Sequence, residues 1–398
     1  MVLRRRAWLS QEGWYYVAVL AFIVGGAVLR SVNLLIVLAG MMIAPLLLNW
    51  RLAMAALRKI DVQRQAPEQI CAGDLFTVEL TLTSYRRWLG AWLLSLEDTL
   101  QAQRRASRDE RPLVAKTVVA HLPPAGSATA TYQVTIPRRG VYRLGPLQIS
   151  TRYPLGLVRC SLVLPLEQEL AVSPRLGQLT TEWSRMLEAD LAGSERRHPQ
   201  GGIDEGDYYS LRPFQSGDSR RWIHWRTTAK LNSPTVRQFE RQRSFDAALV
   251  IDPWLPEKPS PADRGRLELA LSLAATAVAD FCSRGQNQLT ITVATPIPQV
   301  WSGPTSAAYC REVFDQLARL AGGPSGKLAS ALQEARAEMP TGARLLVVSP
   351  RSIEAAEEAA AADATMVDPG HSQSAFATDS LRWIDVSEDS LNELFLLD

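Results

Sequence analysis

The sequence predicts a multi-domain protein: an N-terminal transmembrane α-hairpin, an antiparallel β-sandwich domain, and a C-terminal doubly wound α/β domain. Three observations predict it. Two uncharged apolar stretches stand back to back near the N-terminus. Apolar and polar side chains then alternate at a spacing of two. Beyond residue 246, continuous apolar runs alternate with amphipathic helical ones. The 398 residues, long enough for several cores, divide into an anchor at 1–60, a β domain at 61–175, a junction at 176–245 and an α/β domain at 246–398.

The anchor rests on "WYYVAVLAFIVGGAVL" (residues 14–29) and "VNLLIVLAGMMIAPLLLNW" (residues 32–50), separated by Arg30 and Ser31. Each approaches the roughly 20 apolar residues needed to cross the hydrocarbon. A cleaved signal peptide fits less well, because a second apolar run follows where polar chain is expected. Trp14, Tyr15, Tyr16 and Trp50 stand at the ends, where interfacial aromatics belong. Arg4, Arg5 and Arg6 precede the first stretch, Arg51, Arg58 and Lys59 follow the second, and the turn has Arg30 alone. This positive-inside bias predicts an inner-membrane protein with two helices and both termini cytoplasmic, its first partner being the lipid bilayer. With no charge inside either stretch, the hairpin reads as an anchor and not an ion path.

In the second region "LFTVELTLTS" and "TATYQVTIP" alternate with period two, and "GVYRLGPLQISTRYPLGLVRC" supplies further short strands broken by Gly145-Pro146 and Tyr153-Pro154. Short strands with Gly/Pro punctuation predict the sandwich. His121 stands alone in "AHLPPAG" and reads as an ordinary exposed histidine.

In the last region "FDAALVID" has the continuous apolar character of a parallel strand buried on both faces. "GRLELALSLAATAVADFCSRG" reads as a helix, "QLTITVAT" and "ARLLVVSP" as strands, "SIEAAEEAAAA" as a helix, and "ATMVD" and "LRWIDV" as late strands. Neither G-x-G-x-x-G nor G-x-x-x-x-G-K-[ST] occurs, so no nucleotide cofactor is expected. Asp252 ends the first strand, at the edge where such sheets bind ligands, and is the one weak candidate for a metal. Trp254 and Pro256 stand two and four residues on and offer no side-chain oxygen, so no metal is expected and Asp252 reads as structural. Cys71, Cys160, Cys282 and Cys310 lack C-x-x-C spacing and suggest neither zinc nor a disulfide framework.

Between these regions lies "YYSLRPFQSGDSRRWIHWRTTAKLNSPTVRQFE", dense in tryptophan and basic residues. The order of regions and the pattern R-x-[FY]-x-x-G-D-x-x-R-x-I-x-W, here Arg212, Phe214, Gly217, Asp218, Arg221, Ile223 and Trp225, resemble the bacterial domain-of-unknown-function-58 family. "TTAKLNSPTVRQFE", with Lys230, is similar to that family's continuation, and "RRGVYRLGPLQISTRYPLGLVR" to two of its segments, with Tyr153 where aspartate is usual. The resemblance implies a von Willebrand factor A-like C-terminal domain, a MoxR-type AAA+ ATPase as partner, and a non-catalytic scaffold role in assembling or maturing envelope or other complexes. It also implies a D-x-S-x-S metal-adhesion motif, from which Asp252, Trp254 and Pro256 depart.

Asp218 is placed to cap a helix carrying Trp222 and Trp225 on one face, with Arg220, Arg226 and Lys230 elsewhere around it. Three readings compete. A hydrolase-type enzyme would use His224 as base with Asp218 or Glu205, but no nucleophile is spaced to complete it. A single-stranded nucleic-acid binder would use the interleaved aromatics and arginines, yet a net charge of +2 supplies no global electrostatic footprint. An interaction segment would wedge both tryptophans between domains and turn its arginines to Asp204, Glu205, Asp207 or a partner. The residues favour the third; whether the segment is structural or partner-facing, and the oligomeric state, stay open.

Overall fold

The computed structural model describes the chain except residues 1–4, 31–32, 104–111, 188–207, 216–217, 240–245, 286, 325–326, 341–342, 365–380, 387–390 and 398. Arg4, Ser31, His198, Asp204, Glu205, Asp207, Gly217 and most of the expected strand "ATMVD" lie outside the described residues. By contact the chain divides into two units, Met1–Arg175 with Phe314–Leu320, and Leu176–Val313 with Ala321–Asp398.

The first unit begins with a strand that the sequence reading missed, β1 (Arg5–Leu9). Two helices follow, α1 (Gln11–Arg30) and α2 (Asn33–Ala56), both long and apolar enough to cross a membrane. They touch through Tyr16, whose hydroxyl donates to the Met42 carbonyl at 2.9 Å. Then come β2 (Ile60–Gln65), β3 (Ile70–Cys71), β4 (Leu75–Ser84), β5 (Ala91–Ala102), β6 (Leu113–Leu122), β7 (Ser127–Thr135), β8 (Gly140–Thr151), β9 (Val158–Leu164) and β10 (Gln168–Ser173). One sheet runs β1-β9-β8-β10-β3, with β5 pairing β8 and β6 pairing β5; the other runs β2-β4-β7. β4 buries every second side chain, as its period-two pattern requires. Val78, Leu80 and Leu82 of the smaller sheet share one apolar cluster with Leu94, Leu96 and Ile149 of the larger.

A charge pair sits inside that cluster. Arg64 Nη2 lies 2.8 Å from Asp98 Oδ1, and the Tyr132 hydroxyl donates to Asp98 Oδ2 at 2.7 Å. Burial, reinforced by the Asp98 charge, pushes the Tyr132 phenol above its ordinary range, so it stays a donor. Arg64 also donates to the carbonyls of Leu144 and Leu166. His121, read from sequence as merely exposed, is exposed but lies over Trp92 with ring centroids 4.0 Å apart.

The second unit holds the parallel strands. β11 (Gln178–Leu179), β12 (Tyr208–Pro213), α3 (Trp225–Leu231) and β13 (Thr235–Phe239) precede β14 (Ala247–Ile251), all five residues of which are buried. Then follow α4 (Pro261–Arg284), β15 (Gln288–Val293), β16 (Gln299–Pro304), α5 (Ala307–Arg319, of which the residues from Phe314 on are grouped with the first unit), α6 (Leu328–Glu338), β17 (Arg344–Ser349), α7 (Ile353–Ala364) and β18 (Leu381–Asp385). The sheet order is β16-β15-β14-β17-β18, parallel except for the edge strand β16, which is antiparallel to β15 and was not read from sequence. α4 starts in a capping box in which Ser260 and Asp263 satisfy each other's backbone N–H groups. Trp183 is fully buried in this unit; its indole N–H donates to Asp280 at 3.2 Å and its ring meets the Phe281 ring edge-on.

Candidate functional site

The segment dense in tryptophan and arginine is built on a two-stranded ribbon, β12 against β13, in which Arg212 pairs with Val236 and Pro213 with Thr235. The ribbon brings the ends of residues 214–234 together, and Phe214 N–H donates to the Pro234 carbonyl at 2.9 Å. Arg212 and Asp218 form a bidentate clasp of 2.8 and 2.7 Å, the fork-to-fork arrangement that fixes both side chains. Gln215 N–H donates to the same carboxylate at 2.8 Å. Arg212, and after it the Gln215 backbone, holds the Asp218 carboxyl below its ordinary range.

Asp218 is therefore no helix cap, contrary to the sequence reading. Ser219 caps the short 3-10 turn at Arg220–Trp222, and His224 caps α3 through Nδ1, which accepts from Thr227 N–H at 3.3 Å. The sequence reading saw one helix where there are two short turns, because the His224 backbone leaves helical geometry and donates to the Thr235 carbonyl at 2.8 Å. Trp222 and Trp225 accordingly do not share a helix face. Trp222 and Ile223 are half-buried, with Ile223 bridging to Val236, while Trp225 is 69% exposed. The expectation that both tryptophans are buried fails at Trp225, which opens α3 with its ring in solvent. Arg220, Arg221, Arg226 and Lys230 are exposed and Phe214 is half-buried. Asp218 and His224 are bonded to different partners, so the geometry does not join them as a base and its orienting acid.

The second candidate is the carboxyl edge of the parallel sheet. Asp252, fully buried at the end of β14, accepts from Ser349 Oγ and from Arg351 Nε, each at 2.9 Å. Burial pushes its carboxyl above the ordinary range against the pull of Arg351. Arg351 lies over the Trp254 ring at 5.1 Å, a cation–π contact, and Trp383 Nε1 donates to its carbonyl at 3.3 Å. Trp254, which in sequence only marked a missing oxygen ligand, here shelters the cation that Asp252 uses. The sequence reading missed Arg351, whose one local signal is an arginine two residues past a strand-ending serine. Among the described residues no group of three or more His, Cys, Asp or Glu could hold a metal ion.

The family profile described as "Protein of unknown function DUF58" matches residues 210–366, which include the clasp, both short turns and the Asp252–Arg351 pair. The match supports DUF58 membership through this part of the chain. A relative from Bacillus subtilis (strain 168), "Uncharacterized protein YeaD", is 25% identical over 205 residues, or 50% of each chain. The chain thus spans about half the length of that relative. Solved structures similar to parts of it include a CARDB domain from Pyrococcus furiosus (12% identity, 29% of this chain and 94% of that one, TM-score 0.18). A superoxide reductase (neelaredoxin) from Ignicoccus hospitalis is similar at 17% identity (28% and 79% of the chains, TM-score 0.19). Likeness of that extent carries no argument about this protein.

Proposed function

We propose that this DUF58 protein is a membrane-anchored, non-catalytic scaffold whose junction segment docks a partner protein, a MoxR-type AAA+ ATPase, during assembly or maturation of protein complexes. The observation that carries the docking role is an exposed tryptophan among exposed arginines on a braced frame. Trp225 is 69% exposed on a segment held by the Arg212–Asp218 clasp and the β12–β13 ribbon. Tryptophan and arginine dominate interface energetics, and a rigid presentation lowers the ordering cost of binding. The sheet order β16-β15-β14-β17-β18 with its antiparallel edge supports the reading of a von Willebrand factor A-like domain, and the two sheets of the first unit that of a β-sandwich. Arg351 beside Asp252 supports a partner site that works without a metal. β1 precedes the helical hairpin and pairs with β9, which follows it, so both ends of the hairpin emerge on one side. With the positive-inside bias this supports an inner-membrane protein whose termini are both cytoplasmic.

The test is binding of the purified MoxR-type ATPase encoded in the same genome to the full-length protein in nanodiscs. Trp225→Ala with Arg226→Glu should weaken binding at least ~10-fold, the scale of an interface hot spot, and leave the thermal melt unchanged. Unaltered affinity would sink the docking role.

A further inference from the structure

We propose that the end of the β unit nearest the hairpin is a lipid-contacting face, seated in the anionic headgroup layer of the membrane that the hairpin enters. The proposal rests on the membrane reading of that hairpin.

Contacts within this unit locate the face. Ser10, between β1 and α1, donates through Oγ to the carbonyls of Gly156 (2.5 Å) and Leu157 (3.0 Å). A Cβ at Gly13 would lie 2.0 Å from the Leu157 oxygen, so α1 reaches this loop only because residue 13 is glycine. Leu155 N–H donates to Asn49 Oδ1 of α2 at 2.9 Å. The 152–157 loop is therefore level with Asn49 and Trp50, the aromatic end of the second apolar helix. Tyr153 stacks on Trp92 with centroids 6.1 Å apart, and Thr151 Oγ1 donates to the Trp92 carbonyl at 3.0 Å. The β4–β5 connection joins the same end: Tyr85 N–H donates to the Lys59 carbonyl at 3.0 Å and Arg86 Nη1 to the Ala56 carbonyl at 3.1 Å.

What this end presents is apolar and basic. Trp88 is 91% exposed, and Tyr85, Leu89, Trp92, Leu93, Tyr153 and Leu155 are exposed as well. Arg51, Arg58, Lys59, Arg87 and Arg152 are exposed around them, and no acidic residue occurs in 50–60, 80–96, 121–126 or 151–157. The acids nearest in sequence to these groups are Asp61, two residues past Lys59, and Glu97, four past Leu93, and Glu12 stands in the first turn of α1. Tryptophan and tyrosine with arginine and lysine are the side chains that settle at the headgroup level of anionic leaflets. The backbone is bent to make this face. Leu93 has φ +48°, and there the alternation of β5 breaks, so Trp92 and Leu93 both point outward between buried Ala91 and Leu94. Lys59 (φ +56°) and Ala125 (φ +48°) lie at the same end, so it holds three of the four described non-glycine residues with positive φ. Strain repeated at one end, with large apolar groups held out instead of in, fits a surface that is covered in use. A bilayer fits better than a second copy because the face lies at the end of the hairpin, where its exposed aromatic and basic groups are those of an interface with anionic lipid, and only Glu12, beside Arg152, brings an acid to it.

The experiment places single spin labels on the full chain in nanodiscs of phosphatidylcholine and phosphatidylglycerol, in a Cys282→Ser, Cys310→Ser background. Labels go at Leu89→Cys, at Phe22→Cys in α1, and at Gln103→Cys, roughly 35 Å away past the far end of β5. Relaxation by oxygen should exceed that by a water-soluble nickel chelate several-fold at positions 22 and 89, with the order reversed at 103. Position 89 behaving like 103 while 22 sits in lipid would overturn the proposal and leave the anchor intact. Position 22 behaving as aqueous would overturn the anchor itself, and the proposal with it. Shielding of 89 from both reagents would mean a protein cover, and would also overturn it. Arg87→Glu or uncharged lipid should shrink the contrast at 89 alone; an unchanged contrast would overturn the anionic-headgroup part.

Discussion

Two arginine–aspartate pairs, one in each unit, meet at nearly the same distance and have opposite meanings. Arg64 and Asp98 meet at 2.8 Å with side chains 3% and 1% exposed; Arg212 and Asp218 meet at 2.7 Å with side chains 34% and 12% exposed. The first pair is shut between two sheets, where neither ion can be hydrated, and each is indispensable to the other. The second stands in water, where the Coulomb energy is small and the bidentate fork mainly fixes shape. Distance does not rank such pairs; burial does. A core pair specifies how the sheets face each other, whereas a surface clasp holds the segment from Arg212 to Asp218 in one conformation without committing the fold to it.

The largest effect should come from breaking the core pair. Asp98→Ala leaves the Arg64 cation buried without a counter-ion and should cost about 3–5 kcal/mol. The melt of the full chain in detergent should fall sharply, while Asp98→Leu with Arg64→Met recovers most of the loss. A single variant melting like the parent would place solvent at that site and erase the contrast. Asp252 with Arg351 tests an intermediate case, buried on one side and 9% exposed on the other. Arg351→Ala should cost about 1–3 kcal/mol, less than the core pair, because the Asp252 carboxyl, already pushed up by burial, can take a proton. If Arg351→Ala proves as damaging as Asp98→Ala, that carboxyl stays ionised and the ranking by protonation fails.

The smallest effect belongs to the clasp, and acid reads it. Arg212 depresses the Asp218 carboxyl, so the folded value lies below the unfolded one of ~3.9. The stabilisation is then fully present above the unfolded value and disappears as pH falls through the folded one. Amide exchange in β12 and β13 should stay constant from about pH 7 to 5 and quicken only below ~4, and Asp218→Asn should remove that step. Loss of protection near neutrality would show that Asp218 is not the group that sets this step.

How much was legible depended on the range of the interactions. The signature residues stood in the sequence, but their roles did not. Asp218 after glycine looks like a cap until Arg212, six residues back, is folded onto it by the ribbon. Trp225 looks like core by composition, yet a residue's exposure depends on what packs over it. Trp183, with no motif around it, is the fully buried tryptophan of that unit.

By itself the sequence determined the two apolar helices, the period-two strands such as β4 and the apolar runs of β14 and β17, because these follow from side-chain patterns within a few turns of chain. Only the tertiary structure decided that β1 joins a sheet across the hairpin, that Arg64 meets Asp98, that Arg351 reaches Asp252 across 99 residues, and that Trp92 and Leu93 both face out. Each of these sets groups distant in sequence against each other or bends one residue into a strained backbone. Local propensity carries no term for either.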